Sequence, residues 1–210
     1  MQKKDIPFRK LKARWAYIVP GRIPFETMSA IVAQLRKNGA SIAMNPSSYY
    51  LKLGAKKLMP ILRELDLIIL NREEAAYLTG FRYNEEQKIF KKFDELVRGL
   101  AIMTDGPKGV LVSDGKKVYR AGIYKEKLVA DRTGAGDSFG SGFVAGIMRR
   151  NRKLKVKDLT SDDIVYAIQL ASANATANVE QVGAETGILR KGQFEKEKRW
   201  RTLPVKITDL

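Results

Sequence analysis

The chain has 210 residues, 44% of them apolar and 30% charged, with seven prolines and seventeen glycines, which excludes a collagenous or wholly disordered polymer. Lys and Arg number 39 against 23 Asp and Glu, a formal charge of +16, and there is neither cysteine nor histidine. Disulfides, Cys or His zinc sites, thiol nucleophiles and Ser-His-Asp triads are thereby excluded, so acid–base chemistry falls to Asp, Glu, Lys or Tyr.

Residues 16–19, 42–44, 67–70 and 101–103 are compact apolar runs bounded by turns or polar stops, too short for helices, and they read as buried strands. Between the first two, Met28, Ile31, Val32 and Leu35 lie on one face of a helix that ends near Asn38-Gly39. Leu58, Ile61, Leu62 and Leu65 predict a helix over 51–65, and Ile89, Phe90, Phe93 and Val97 one over 84–100. Strand and helix in alternation predict a mainly parallel sheet covered by helices, because parallel strands need long crossovers. Residues 110–112 and 117–120 flank Asp114-Gly115 and predict an antiparallel hairpin. Helices return over 134–150 and 162–182, and the charged tail 191–210 reads as a surface helix that frays. With no repeat or low-complexity linker, the whole of 1–210 is expected to form one α/β domain.

The basic residues are spread along the chain, the pattern of a solvated surface; the run 149–157 reads as the end of a helix and its loop. No nucleic-acid module is recognisable, so a basic nucleic-acid binder is the least favoured reading. No apolar run approaches about 18 residues, and the basic start lacks the apolar centre of a secretory signal, so a cytoplasmic, non-membrane protein is expected.

The most informative segment is 130–142. Gly134, Ala135 and Gly136 permit a tight turn, and a helix follows, so backbone N–H groups would face outward at a helix N-terminus and form an anion site. Asp137 in that first turn is the natural general base for a hydroxyl acceptor. The competing reading is a helix cap. Asn71 ends a strand and Glu74 falls one turn into a helix; Asn71 offers an amide to phosphate and Glu74 a carboxylate to hydrated magnesium, while a capping box fits the local sequence well and is the reading favoured by this segment taken alone. Thr104, Gly106 and Gly109 form a third loop that could pass beside a nucleotide phosphate, or serve only as a strand-to-hairpin turn.

These elements, in this order, resemble the ribokinase-like (PfkB) family of carbohydrate kinases: the Gly-Ala-Gly-Asp core at 134–137, Asn71-x-x-Glu74, and the Thr-x-Gly loop at 104–109. The resemblance implies ATP and Mg2+ as cofactors and a sugar or nucleoside-like alcohol as acceptor. It implies Asp137 as base and Gly134, Ala135 and Gly136 as anion hole. Asn71 and Glu74 would organise magnesium and phosphates, with Thr104, Gly106 and Gly109 along the nucleotide. A monovalent cation such as K+ would lie by Asp131 and the Thr133 carbonyl, closed by Gly183-Ala184, and Ser172 would approach the base. The family pattern also has an N-terminal stretch on the order of 100 residues, holding a Gly-Gly signature, most sugar contacts and a lid, with no counterpart among these residues. A second copy or a partner chain is therefore expected to cover the exposed sheet. The alternative function is a nucleotide-binding remnant or interaction subunit that has lost turnover.

Overall fold

The computed structural model describes residues 3–150, 155–200 and 203–210; residues 151–154 of the basic run lie outside them. The chain divides into two compact units, one of residues 1–103, 112–117 and 210, the other of residues 104–111 and 118–209.

The first unit is built by strand–helix alternation. Strands β1 (Trp15–Ile18), β2 (Ser41–Met44), β3 (Leu67–Asn71) and β4 (Leu100–Thr104, whose last residue is counted with the second unit) lie side by side in chain order. β1 and β2 are parallel with Ala16 opposite Ile42, and β2 and β3 are parallel with Met44 opposite Ile68. β2 is buried along its whole length, as expected of a strand covered on both faces. Helix α1 (Phe25–Lys37) buries Met28, Val32 and Leu35 and stops where Gly39 adopts a positive φ of 81°.

The helix predicted over 51–65 is two helices, α2 (Ser48–Leu51) and α3 (Gly54–Leu62). Gly54 turns the chain through a φ of +77°, a conformation that the apolar periodicity does not reveal. Beyond β3 come α4 (Arg72–Thr79) and α5 (Glu86–Leu96), which buries Ile89, Phe90, Phe93 and Leu96. α5 ends sooner than predicted because Val97 is already extended and Leu100 opens β4.

In the second unit the long helices α6 (Ala135–Arg150) and α7 (Ser161–Val179) pack on each other. Small residues permit this. A Cβ on Gly146 would lie 2.7 Å from the Ala167 Cα, and one on Gly142 would lie 3.0 Å from the Ala171 Cα. Strands β5 (Val110–Ser113) and β6 (Lys117–Ala121), whose residues 112–117 are counted with the first unit, form the predicted hairpin, with Gly115 at positive φ in its turn. The tail corrects the sequence expectation. It holds a single-turn helix, α8 (Gln193–Lys196), then a strand, β7 (Val205–Asp209), beside β6. β7 is almost wholly exposed, so no buried alternation marked it as a strand. Among the described residues no helix is long and apolar enough to cross a membrane.

Candidate active site

The segment entering α6 is tied down before the helix begins. The N–H groups of Ala130 and Asp131 both donate to the Val179 carbonyl at the end of α7, at 3.0 and 3.2 Å. Asp131 then joins two loops: one carboxylate oxygen accepts the Thr133 N–H at 2.9 Å and the other the Gly183 N–H at 3.1 Å. The Thr133 N–H and hydroxyl, followed by the Gly183 N–H, hold the Asp131 carboxyl below the usual carboxylate range.

Gly134 makes the corner, at a φ of +82°. A Cβ there would meet the Ala184 backbone at 2.5 to 2.7 Å, so both conformation and space demand glycine. The Gly134 carbonyl accepts the Ser138 N–H at 2.8 Å and starts α6. The N–H groups of Gly136 and Asp137 find no acceptor among the described residues. They are the open donors of a helix N-terminus, where the backbone dipoles favour an anion. The Asp137 side chain is exposed and makes no hydrogen bond with any described residue, so its carboxylate does not cap this helix.

The loop facing that corner is held by Asn178. Its buried side-chain Nδ2 lies 3.1, 3.2 and 2.9 Å from the carbonyl oxygens of Gly183, Ala184 and Thr186, while its Oδ1 is buried without a partner. The sequence offered no clue to this role, since an Asn within an apolar helix face also reads as a buried filler. Gly183 itself has a φ of +102°.

A cavity of about 120 Å³ lies beside the α6 corner. Ala135, Gly136 and Phe139 of α6 form one wall; Ser172, Ala175, Thr176 and Val179, which share one face of α7, form another. Thr104, Gly106 and Gly109 complete it. Gly109, at a φ of +97°, lies so close to the Ala121 carbonyl and Gly122 that no side chain fits. The structure thus gathers Ala135, Gly136, Thr104, Gly106, Gly109 and Ser172 around one space. Asp131, Thr133, Gly134, Asp137 and Gly183 are not on its wall; all but Asp137 belong to the loops that fix the first turn of α6. Two charged residues also line it, Glu126 and Arg132, to which the sequence reading gave no role.

Asn71 and Glu74 lie in the first unit. There they form the capping box of α4: the Glu74 N–H donates to Asn71 Oδ1 at 2.8 Å, and the Asn71 N–H donates to Glu74 Oε2 at 2.9 Å. Burial raises the Glu74 carboxyl above its usual value, against the Asn71 N–H, which lowers it. Glu74 Oε1 keeps no partner among the described residues, so one oxygen remains for a hydrated cation. No group of three or more Asp or Glu gathers as a metal cluster among the described residues. At the other candidate cation position, Asp131 and the Thr133 carbonyl supply oxygen donors, but a cation there would share Asp131 with two N–H groups and the Gly183 and Ala184 carbonyls with Asn178.

Residues 11–191 match the model of the pfkB family of carbohydrate kinases. A ribokinase of Lactococcus lactis subsp. lactis is 27% identical over 181 residues, which cover 86% of this chain and 53% of that enzyme. A cytidine kinase of Thermococcus kodakarensis is 30% identical over 156 residues, 71% of this chain and 53% of that one. Among solved structures, a fructokinase from Vibrio cholerae O395, in a form with fructose, ADP and calcium ion bound, superposes with a TM-score of 0.69 at 24% identity, covering 89% of this chain and 61% of that one. That likeness shows a shared α/β fold, with a mainly parallel sheet covered by helices. The chain spans about half the length of the curated relatives it matches. With its glycine corner, its Thr-x-Gly loop and its family match in agreement, the chain belongs to the pfkB family of carbohydrate kinases.

Proposed function

We propose that this chain carries the nucleotide-binding and catalytic part of an ATP-dependent kinase that passes the γ-phosphoryl group to a hydroxyl of a sugar or nucleoside-like acceptor. The observation that carries this reading is the first turn of α6, where two N–H groups without an acceptor adjoin an exposed, unengaged Asp137 carboxylate.

Phosphoryl transfer is governed by position and charge stabilisation, with little covalent work for the protein. The Gly136 and Asp137 amides would meet the charge on the moving group; because Asp131, Gly134 and Asn178 already fix their direction, little reorganisation is needed. Asp137 would take the proton from the acceptor hydroxyl as its oxygen attacks. The apolar wall of Phe139, Ala175 and Val179 suits the flat face of a nucleoside base, with Ser172 beside it. Glu74 Oε1 would hold magnesium through water, and Asn71 would support it as the partner that fixes Glu74. Magnesium, when bound, supplies charge neutralisation for the phosphates. A monovalent cation would draw on Asp131 and the Thr133 carbonyl.

The test is Asp137→Asn, with folding verified, in an assay of acceptor-dependent ADP formation across hexoses, pentoses, sugar phosphates and nucleosides. Loss of a general base predicts a fall of about 10²- to 10⁴-fold in kcat with nucleotide affinity retained. Equal turnover by the variant overturns the assignment of Asp137.

A further inference from the structure

Two features of the cavity are not explained by the family motif. Its lining is apolar or small except for one cation and one anion, Arg132 and Glu126. They face each other in parallel, Arg132 Nη1 to Glu126 Oε1 at 3.2 Å and Nη2 to Oε2 at 3.4 Å. Tight guanidinium–carboxylate pairs close to about 2.7–2.9 Å, so this fork is loosely held. The Arg132 side chain is 49% exposed whereas that of Glu126 is 17% exposed. The arginine is the partner free to swing, and the carboxylate is fixed in the cavity rim.

As it stands, the pair nearly neutralises the cavity mouth. Arg132 sits three residues before Ala135, and the two line the same space. A ligand with an apolar body against α7 and an anionic tail toward the α6 corner would bring phosphate oxygens into competition with Glu126 for the same guanidinium. Guanidinium matches phosphate in two-pronged fashion as well as it matches carboxylate, and a polyphosphate carries more charge than one carboxylate. Of the neighbouring carboxylates, Glu180 is already committed: it binds Arg199 at 2.6 Å and receives the Lys127 N–H at 2.7 Å.

We propose that Arg132 is a phosphate-binding residue for a nucleoside polyphosphate and that Glu126 is its placeholder, a carboxylate that parks the guanidinium when the cavity is empty and opposes weakly charged ligands. The assignment rests on the kinase reading above and adds to it a residue that selects for the length of the phosphate tail. Binding exchanges one ion pair for another: Arg132 leaves Glu126, whose carboxylate stays in the cavity rim, and grips the β- or γ-phosphate. Glu126 therefore sets a threshold that a triphosphate passes and an uncharged nucleoside never engages.

The experiment is calorimetric titration of the folded chain and of the Arg132→Ala and Glu126→Gln variants with ATP-magnesium, AMP and adenosine. The proposal expects Arg132→Ala to weaken ATP about tenfold or more while adenosine binding stays the same. Glu126→Gln, which frees the guanidinium without removing it, is expected to tighten ATP several-fold. Matched ATP affinities in the parent and Arg132→Ala proteins, or weaker ATP binding by Glu126→Gln, overturn the assignment of this pair and leave the kinase reading standing. Failure of the parent protein to bind either ATP or adenosine overturns both.

Discussion

Gly134 and Ala184 meet backbone to backbone, so closely that a Cβ on the glycine would stand 2.5 Å from the Ala184 carbonyl oxygen. The contact clamps the loop before α6 against the loop after α7 and sets the direction in which the first N–H groups of α6 point. Gly134→Ala combines this clash with a left-handed φ. It is expected to cost about 2 kcal/mol or more and to abolish nucleotide binding, as read by urea denaturation and ATP titration.

Gly136 makes the opposite prediction. Its φ is not positive, and a Cβ there would meet nothing within 4 Å. Replacing glycine by alanine within a helix favours folding by up to about 1 kcal/mol. Gly136→Ala should therefore melt at the same temperature as the parent or higher, yet bind ATP more weakly, because the methyl occupies space on the cavity wall. A variant that melts higher and binds ATP with parental affinity would show that the wall does not receive the ligand.

The α6–α7 contact is graded by space. A methyl added at Gly146 would stand 2.7 Å from the Ala167 Cα, and one added at Gly142 would stand 3.0 Å from the Ala171 Cα. Both methyls overpack the interface, at about 1–3 kcal/mol, with Gly146→Ala the costlier. Chemical denaturation of the two variants reads the order directly.

Asn178 holds three loop carbonyls through one amide group. Asn178→Ala leaves them without their donor and is expected to destabilise the chain by about 1–3 kcal/mol. The effect should be larger on ATP affinity than on adenosine affinity, since the loop it releases supports Asp131 and the α6 corner.

Asp94 supplies a pH dependence. Burial pushes its carboxyl up to about 6, with Ser113 Oγ at 3.5 Å lowering it and Asp114 raising it further. The folded chain keeps a proton there that the unfolded chain has released by pH 5. Stability is thus lost as pH rises from about 4 to about 6 and the loss levels off above that. Asp94→Asn should flatten this slope and gain up to about 1 kcal/mol at pH 7, the partial exposure of the group keeping the gain small. Denaturation midpoints measured from pH 4 to pH 8 test both statements.

Much of this architecture was legible in sequence because its determinants are local. Buried parallel strands read as unbroken apolar runs, so β2, β3 and β4 were found within one or two residues. What escaped was set by backbone conformation or by exposure. Gly54 divides an uninterrupted apolar pattern by its φ alone, and β7 has only edge character and no buried face. In the candidate site, motif spacing pointed to the glycine corner and to Asn71 with Glu74, but not to what each does to its neighbours. That Asn71 and Glu74 close a capping box was the competing sequence reading and is the geometry observed. Arg132 stood in plain view inside the glycine-rich segment, but its pairing with Glu126 six residues earlier depends on the loop between them. Asn178 was illegible because its partners are main-chain carbonyls, which carry no sequence signal.

The central claim is that the amides of Gly136 and Asp137 receive the phosphate. A nitrogen–proton correlation spectrum of the labelled chain, titrated with ATP-magnesium and separately with adenosine, tests it at those two groups. The account predicts that both amide signals shift with ATP and stay in place with adenosine, while residues of the α7 wall respond to both. ATP binding with the Gly136 and Asp137 signals unmoved would contradict it.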